Sequence, residues 1–132
     1  MMQKQLKVLI CDDSALIRKK LKNILELCKC KEIEEAENGE EAVQKASSFL
    51  PDLIFMDIVM PGKDGIEALE EIKKEQPNIK VVMASSAGTQ SHLKKALDKG
   101  AYDFIQKPIT LEAVTSIIEK IIKGEKEDPT HV

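Results

Sequence analysis

A doubly wound α/β sandwich, with a parallel sheet carrying helices on both faces, is the fold this sequence predicts. Three observations lead there. Short apolar runs alternate with amphipathic stretches along the whole chain, the pattern of parallel strands joined by helical crossovers. The strongest run, Leu53-Ile54-Phe55-Met56, is apolar on both faces, as a central strand of such a sheet must be. Carboxylates and a lysine stand where the runs stop: Asp12 and Asp13 after Lys7–Cys11, Asp57 after Met56, and Lys107 after Gln106. Parallel strands point their carboxyl ends at one crevice, so these side chains are expected to meet.

The elements follow in order. Lys7–Cys11 reads as a buried strand. Ser14 to Leu27 reads as a helix, with Ile17, Leu21, Ile24 and Cys28 on one stripe. Glu32 to Ala36 is a second, weaker strand. Asn38-Gly39 turns the chain into a helix from Glu40 to Ser47, with Ala42, Val43 and Ala46 inward. The third strand is Asp52 to Met56, and Pro61-Gly62 breaks the chain after it. Asp64 caps a third helix that buries Ile66, Leu69 and Ile72. The fourth strand is Ile79 to Ala84, and a helix from Thr89 to Lys99 ends at Gly100. Tyr102 to Gln106 is the fifth strand, stopped by Pro108. The last helix, Thr110 to Lys123, carries an apolar face of Leu111, Val114, Ile117, Ile118, Ile121 and Ile122. Residues 1–123 are thus expected to form one domain. The polar, aperiodic stretch 124–132 is expected to be a frayed tail, with no output domain.

Bulk properties narrow the function. The chain has 132 residues, enough for one domain with a substantial core. Its net charge of -3 lacks the basic excess of a nucleic-acid binder. Three cysteines, an odd number, do not make a secreted disulfide framework, and a reducing cytoplasm is expected. There is no bilayer-spanning run and no signal-peptide pattern.

The acid pair Asp12-Asp13, the strand-terminal Asp57 with Met60-Pro61 and Gly65 after it, Ser85 after the fourth strand, and Lys107-Pro108 together resemble a response-regulator receiver domain of two-component systems, of the stand-alone type. The resemblance covers residues 6 to 123. It implies a flavodoxin-like (βα)5 fold with strand order 2-1-3-4-5. It implies that Asp57 is the phosphoacceptor for a sensor histidine kinase, a role chemically open to a carboxylate. It implies a Mg2+ site in which Asp13 and Asp57 ligate directly, Asp12 acts mainly through water, and the Val59 backbone carbonyl gives a further oxygen. Lys107 would contact the phosphate, aimed by a cis bond to Pro108. Ser85 matches the switch hydroxyl and Phe104 the switch aromatic. The expected output is a remodelled face made by the fourth helix, fifth strand and fifth helix. Leu93, Leu97, Phe104 and Lys120 are candidate contacts there for a downstream protein: a flagellar motor switch, or a phosphotransfer protein if the chain relays phosphate. A phosphatase is a further candidate partner.

Plainer readings exist for each residue. Asp12 and Asp13 could cap the first helix, and Asp57 could open the turn to Pro61-Gly62. Two acids beside a third favour a cation, and a carboxylate ending an apolar strand is costly without a partner. Lys107 could reach solvent, and Ser85 and Ser86 could be local loop hydroxyls; Ser85 is the favoured switch. Cys28 and Cys30 read as one core and one loop cysteine, Cys11 as a core residue. His92 reads as a surface residue and His131 as part of the tail. Arg18, Lys19, Lys20 and Lys22 read as a solvated basic helix face. A competing function is a Mg2+-dependent aspartate-nucleophile phosphohydrolase. That class places a second acid two residues after the nucleophile, where this chain has Val59. A nucleotide switch is excluded by the lack of a G-x-x-x-x-G-K-[ST] loop.

Overall fold

The computed structural model describes residues 5–126. Five strands, β1 (Lys7–Cys11), β2 (Glu32–Ala36), β3 (Leu53–Asp57), β4 (Lys80–Ser85) and β5 (Asp103–Gln106), pair in parallel in the order β2-β1-β3-β4-β5. The order puts β3 at the centre of the sheet, where its apolar run requires it. The helices are α1 (Ala15–Leu27), α2 (Gly39–Phe49), α3 (Gly65–Glu75), α4 (Leu93–Asp98) and α5 (Leu111–Lys126).

Strand side chains alternate between two cores. Val8, Ile10, Leu53, Phe55, Val82 and Ile105 face α1 and α5, packing on Leu21, Leu25, Val114 and Ile121. Leu9, Cys11, Ile54, Met56, Val81 and Met83 face the opposite way, onto Ala42, Ala46, Leu69, Ile72 and Ala96 of α2, α3 and α4. Helix starts follow from capping chemistry. The side chains of Ser14, Asn38 and Asp64 accept from Ile17, Glu41 and Glu67 backbone N–H groups, and Glu67 returns the bond to the Asp64 N–H.

The structure differs from the sequence expectation in a few places. The single helix expected from Thr89 to Lys99 is a 3-10 helix at Ala87–His92 followed by the six-residue α4. Its first half, AGTQSH, has no apolar stripe to pull an α-helix onto the sheet. Leu111, assigned to the buried face of the last helix, is 44% exposed at its first position. α5 runs to Lys126, past the expected end at Lys123; the rest of the polar tail, with His131, lies outside the described residues. Among the described residues, no helix is long and apolar enough to cross a membrane.

Candidate functional site

The carboxyl ends of β1, β3 and β5 bring four charged side chains together. Asp12 follows β1 and is 3% exposed. Its Oδ1 accepts the Ser14 N–H at 2.9 Å, and its Oδ2 accepts from Lys107 Nζ at 2.9 Å. Asp57 ends β3, and its Oδ1 lies 3.2 Å from the same Nζ. Asp13 is exposed at the rim, with a carboxylate oxygen within 4.8 Å of oxygens from both other acids. The Ile17 N–H at the start of α1 is capped by Ser14 rather than by either aspartate.

The backbone around these residues is closely fixed. Asp12 N–H donates to Ala36 at 3.1 Å, tying the acid loop to β2. Gly65 N–H donates to Ile58 at 2.8 Å. A Cβ on Gly65 would sit 1.9 Å from the Asp57 carbonyl oxygen, so only glycine lets α3 start this close to the acid. Lys107 N–H donates to the Ser85 carbonyl at 2.7 Å, and the Lys107–Pro108 bond is cis.

Electrostatics set the state of the cluster. Burial pushes the Asp57 carboxyl above its ordinary pKa, and Asp12 and, more weakly, Asp13 add to the rise; Lys107 opposes it. Burial works against charge on Lys107, but its bond to Asp12 and the charges of both acids outweigh this and raise its pKa. Three acids facing one ammonium leave an excess of negative charge. The donors are hard oxygens, which fits Mg2+ rather than a soft metal.

Ser85 and Ser86 separate clearly. Ser85 closes β4, is fully buried, and follows Ala84, the residue that pairs with Asp57. Its Oγ is the one buried side-chain oxygen or nitrogen among the described residues that meets no hydrogen-bond partner. Ser86 is exposed and starts the 3-10 helix, where its N–H donates to Thr89 Oγ1 at 2.9 Å. Phe104 is 40% exposed on β5 and Leu97 45% exposed on α4. Lys120 lies on the same flank, with Nζ 2.7 Å from Asp103 Oδ2 and over the Tyr102 ring. Val59 is 59% exposed just beyond the cluster.

Other residues depart from or match their plainer readings. Cys11 and Cys30 are buried and Cys28 half-buried; burial, with Cys28 adding, pushes the Cys30 thiol up to about 11. Arg18 is not part of a solvated face. Its guanidinium donates to the Asp12 carbonyl at 2.7 Å and to Glu35 at 2.9 Å. The helix geometry allows this, since long helical side chains lean toward the N-terminus, but the partner Glu35 comes from the pairing of β2 with β1.

Residues 8–119 match the Response regulator receiver domain family. The chemotaxis protein CheY of Listeria monocytogenes is 43% identical over 118 residues, covering 89% of this chain and 99% of that protein. CheY of Bacillus subtilis is 42% identical over 116 residues, covering 88% of this chain and 97% of that protein. Among solved structures, the response regulator domain of Thermotoga maritima CheB superposes with a TM-score of 0.79 at 38% identity, covering 96% of this chain and all of that one. The receiver domain of NtrX from Brucella abortus does so with a TM-score of 0.81 at 33% identity, covering 89% and 98%. With its strand order, its acid cluster and these matches in agreement, the chain belongs to the response-regulator receiver domain family.

Proposed function

We propose that this protein is a CheY-like phosphorylated switch, in which Asp57 takes a phosphoryl group from a sensor histidine kinase. The observation that carries the reading is the convergence of Asp12, Asp13 and Asp57 on one point, with Lys107 bridging two of them. An Asp57 oxygen attacks phosphorus, the O–P bond forms as the P–N bond of the donor phosphohistidine breaks, and the histidine nitrogen keeps the electron pair and takes a proton. Asp13, Asp57 and the Val59 carbonyl would hold Mg2+, with Asp12 acting through water. Bound there, Mg2+ offsets charge on the transferring phosphoryl group.

Phosphorylation adds charge and three acceptor oxygens beside Lys107. A phosphoryl oxygen also offers the buried Ser85 hydroxyl the partner it lacks, relieving a cost of about 1–3 kcal/mol. Drawing Ser85 in moves the segment that follows β4, and Phe104 turns inward from its exposed position. The unphosphorylated protein samples that arrangement rarely, and phosphate shifts the population.

The face made by α4, β5 and α5 then presents a different surface to a downstream protein, through Leu93, Leu97, Phe104 and Lys120. The CheY names of the relatives favour chemotaxis, with a flagellar motor switch as target and a phosphatase to reset the system. A relay role between histidine-containing proteins is the second reading. The chain acts as a cytoplasmic phosphoacceptor rather than an enzyme on other substrates. The apolar Val59, where a phosphohydrolase would carry its second acid, supports this.

The test is incubation with Mg2+ and a small phosphodonor, with mass spectrometry locating the label. Label on Asp57, lost in Asp57→Asn or in excess chelator, is expected. Equal uptake by Asp57→Asn would overturn the proposal.

A further inference from the structure

The acid loop between β1 and α1 is held from behind by a side chain that touches neither Asp57 nor Lys107. Arg18 sits one turn into α1, and its side chain leans toward the helix N-terminus, as long helical side chains do. It is 12% exposed. One guanidinium nitrogen donates to the Asp12 carbonyl at 2.7 Å, Nε to Glu35 at 2.9 Å, and a third nitrogen lies 3.8 Å from Glu37. Glu35 ends one strand register before Ala36, whose carbonyl accepts the Asp12 N–H. Both peptide faces of Asp12 are therefore anchored to the β2 edge, one directly and one through Arg18.

We propose that Arg18 is a positioning residue for the cation site, fixing the backbone that presents Asp12 and Asp13, with Glu35 and Glu37 holding its guanidinium in place. This rests on the reading that Asp12, Asp13 and Asp57 bind Mg2+. The planar fork is what the arrangement needs: a lysine ammonium cannot span the Asp12 carbonyl and the two glutamates with matching geometry.

The sign of the effect separates positioning from simple charge. Arg18 is a cation behind an acidic cluster, so Coulomb repulsion alone predicts that removing it tightens Mg2+ binding. Positioning predicts the reverse. The experiment is calorimetric titration of Mg2+ into the whole chain and into Arg18→Gln, Arg18→Lys and Glu35→Gln, each checked by circular dichroism for an unchanged fold. Lys99→Gln, which removes an exposed cation paired with Glu70 well away from the acids in sequence, controls for net charge.

Arg18→Gln is expected to weaken Mg2+ binding about tenfold, the scale seen when a group orienting a metal ligand is lost. Arg18→Lys and Glu35→Gln are expected to fall between it and the parent. Equal or tighter binding by Arg18→Gln overturns the inference. If the parent itself binds no Mg2+, the reading of the site falls and this inference with it.

Discussion

The acid end of the sheet and the β4–β5 flank are built to different standards. Around Asp12 and Asp57, backbone and side chains are tied from several directions: Ser14, Ala36, Arg18 and Lys107 all bond Asp12, and Gly65 closes on the Asp57 peptide. Beyond β4 the chain makes a six-residue 3-10 helix and a six-residue α4 whose one buried residue is Ala96. β5 has four residues, of which one is buried, and it forms the sheet edge. Short elements with few buried contacts open at low free energy. A phosphoryl switch needs this difference. The site must keep its shape while chemistry happens, and the reporting flank must have two arrangements separated by a few kcal/mol.

Two phenylalanines measure the contrast. Phe55, on the central strand of the acid end, is 1% exposed, and Phe55→Ala is expected to cost about 3–5 kcal/mol in urea unfolding. Phe104→Ala, on the flank, is expected to cost less than about 0.5 kcal/mol while changing partner binding. Comparable losses at both positions would erase the distinction.

A smaller effect tests the cost of the acid cluster. Because the folded pKa of Asp57 is raised, its protonated form is favoured by folding, and stability is lost as pH rises through the folded pKa. Asp57→Asn removes that penalty. Without divalent cations at neutral pH it is expected to be more stable than the parent. The gap should close as pH falls to the unfolded Asp value, and Mg2+ should narrow it by stabilising the parent through binding. A destabilised Asp57→Asn at neutral pH would mean that the ion pair with Lys107 outweighs the repulsion.

The placement of the charged cluster was largely legible in the sequence because its members stand at or just after the ends of strand runs. Asp57 and Lys107 stand where strand periodicity stops, and a parallel sheet then brings such positions together without further information. The order of strands was not legible from periodicity and came with the family resemblance. Arg18 was hidden by its neighbours: beside Lys19, Lys20 and Lys22 it looks like one more solvated cation. Only the pairing of β1 with β2 places Glu35 in its reach. The 3-10 helix was missed because Gly88 to His92 carries polar residues compatible with either helix type, and hydrogen-bond geometry decides. Sequence counting favoured Ser85 over Ser86; burial at the end of β4 gives a physical reason for that preference.

The central claim is that phosphate at Asp57 acts on the β4–β5 flank while the acid end holds its shape. Amide hydrogen exchange, read on phosphorylated and unphosphorylated protein in Mg2+, tests it most directly. The account predicts altered protection across residues 85–106, with little change in 7–36. Unchanged exchange across 85–106 in fully phosphorylated protein, or change confined to 7–36, would contradict it.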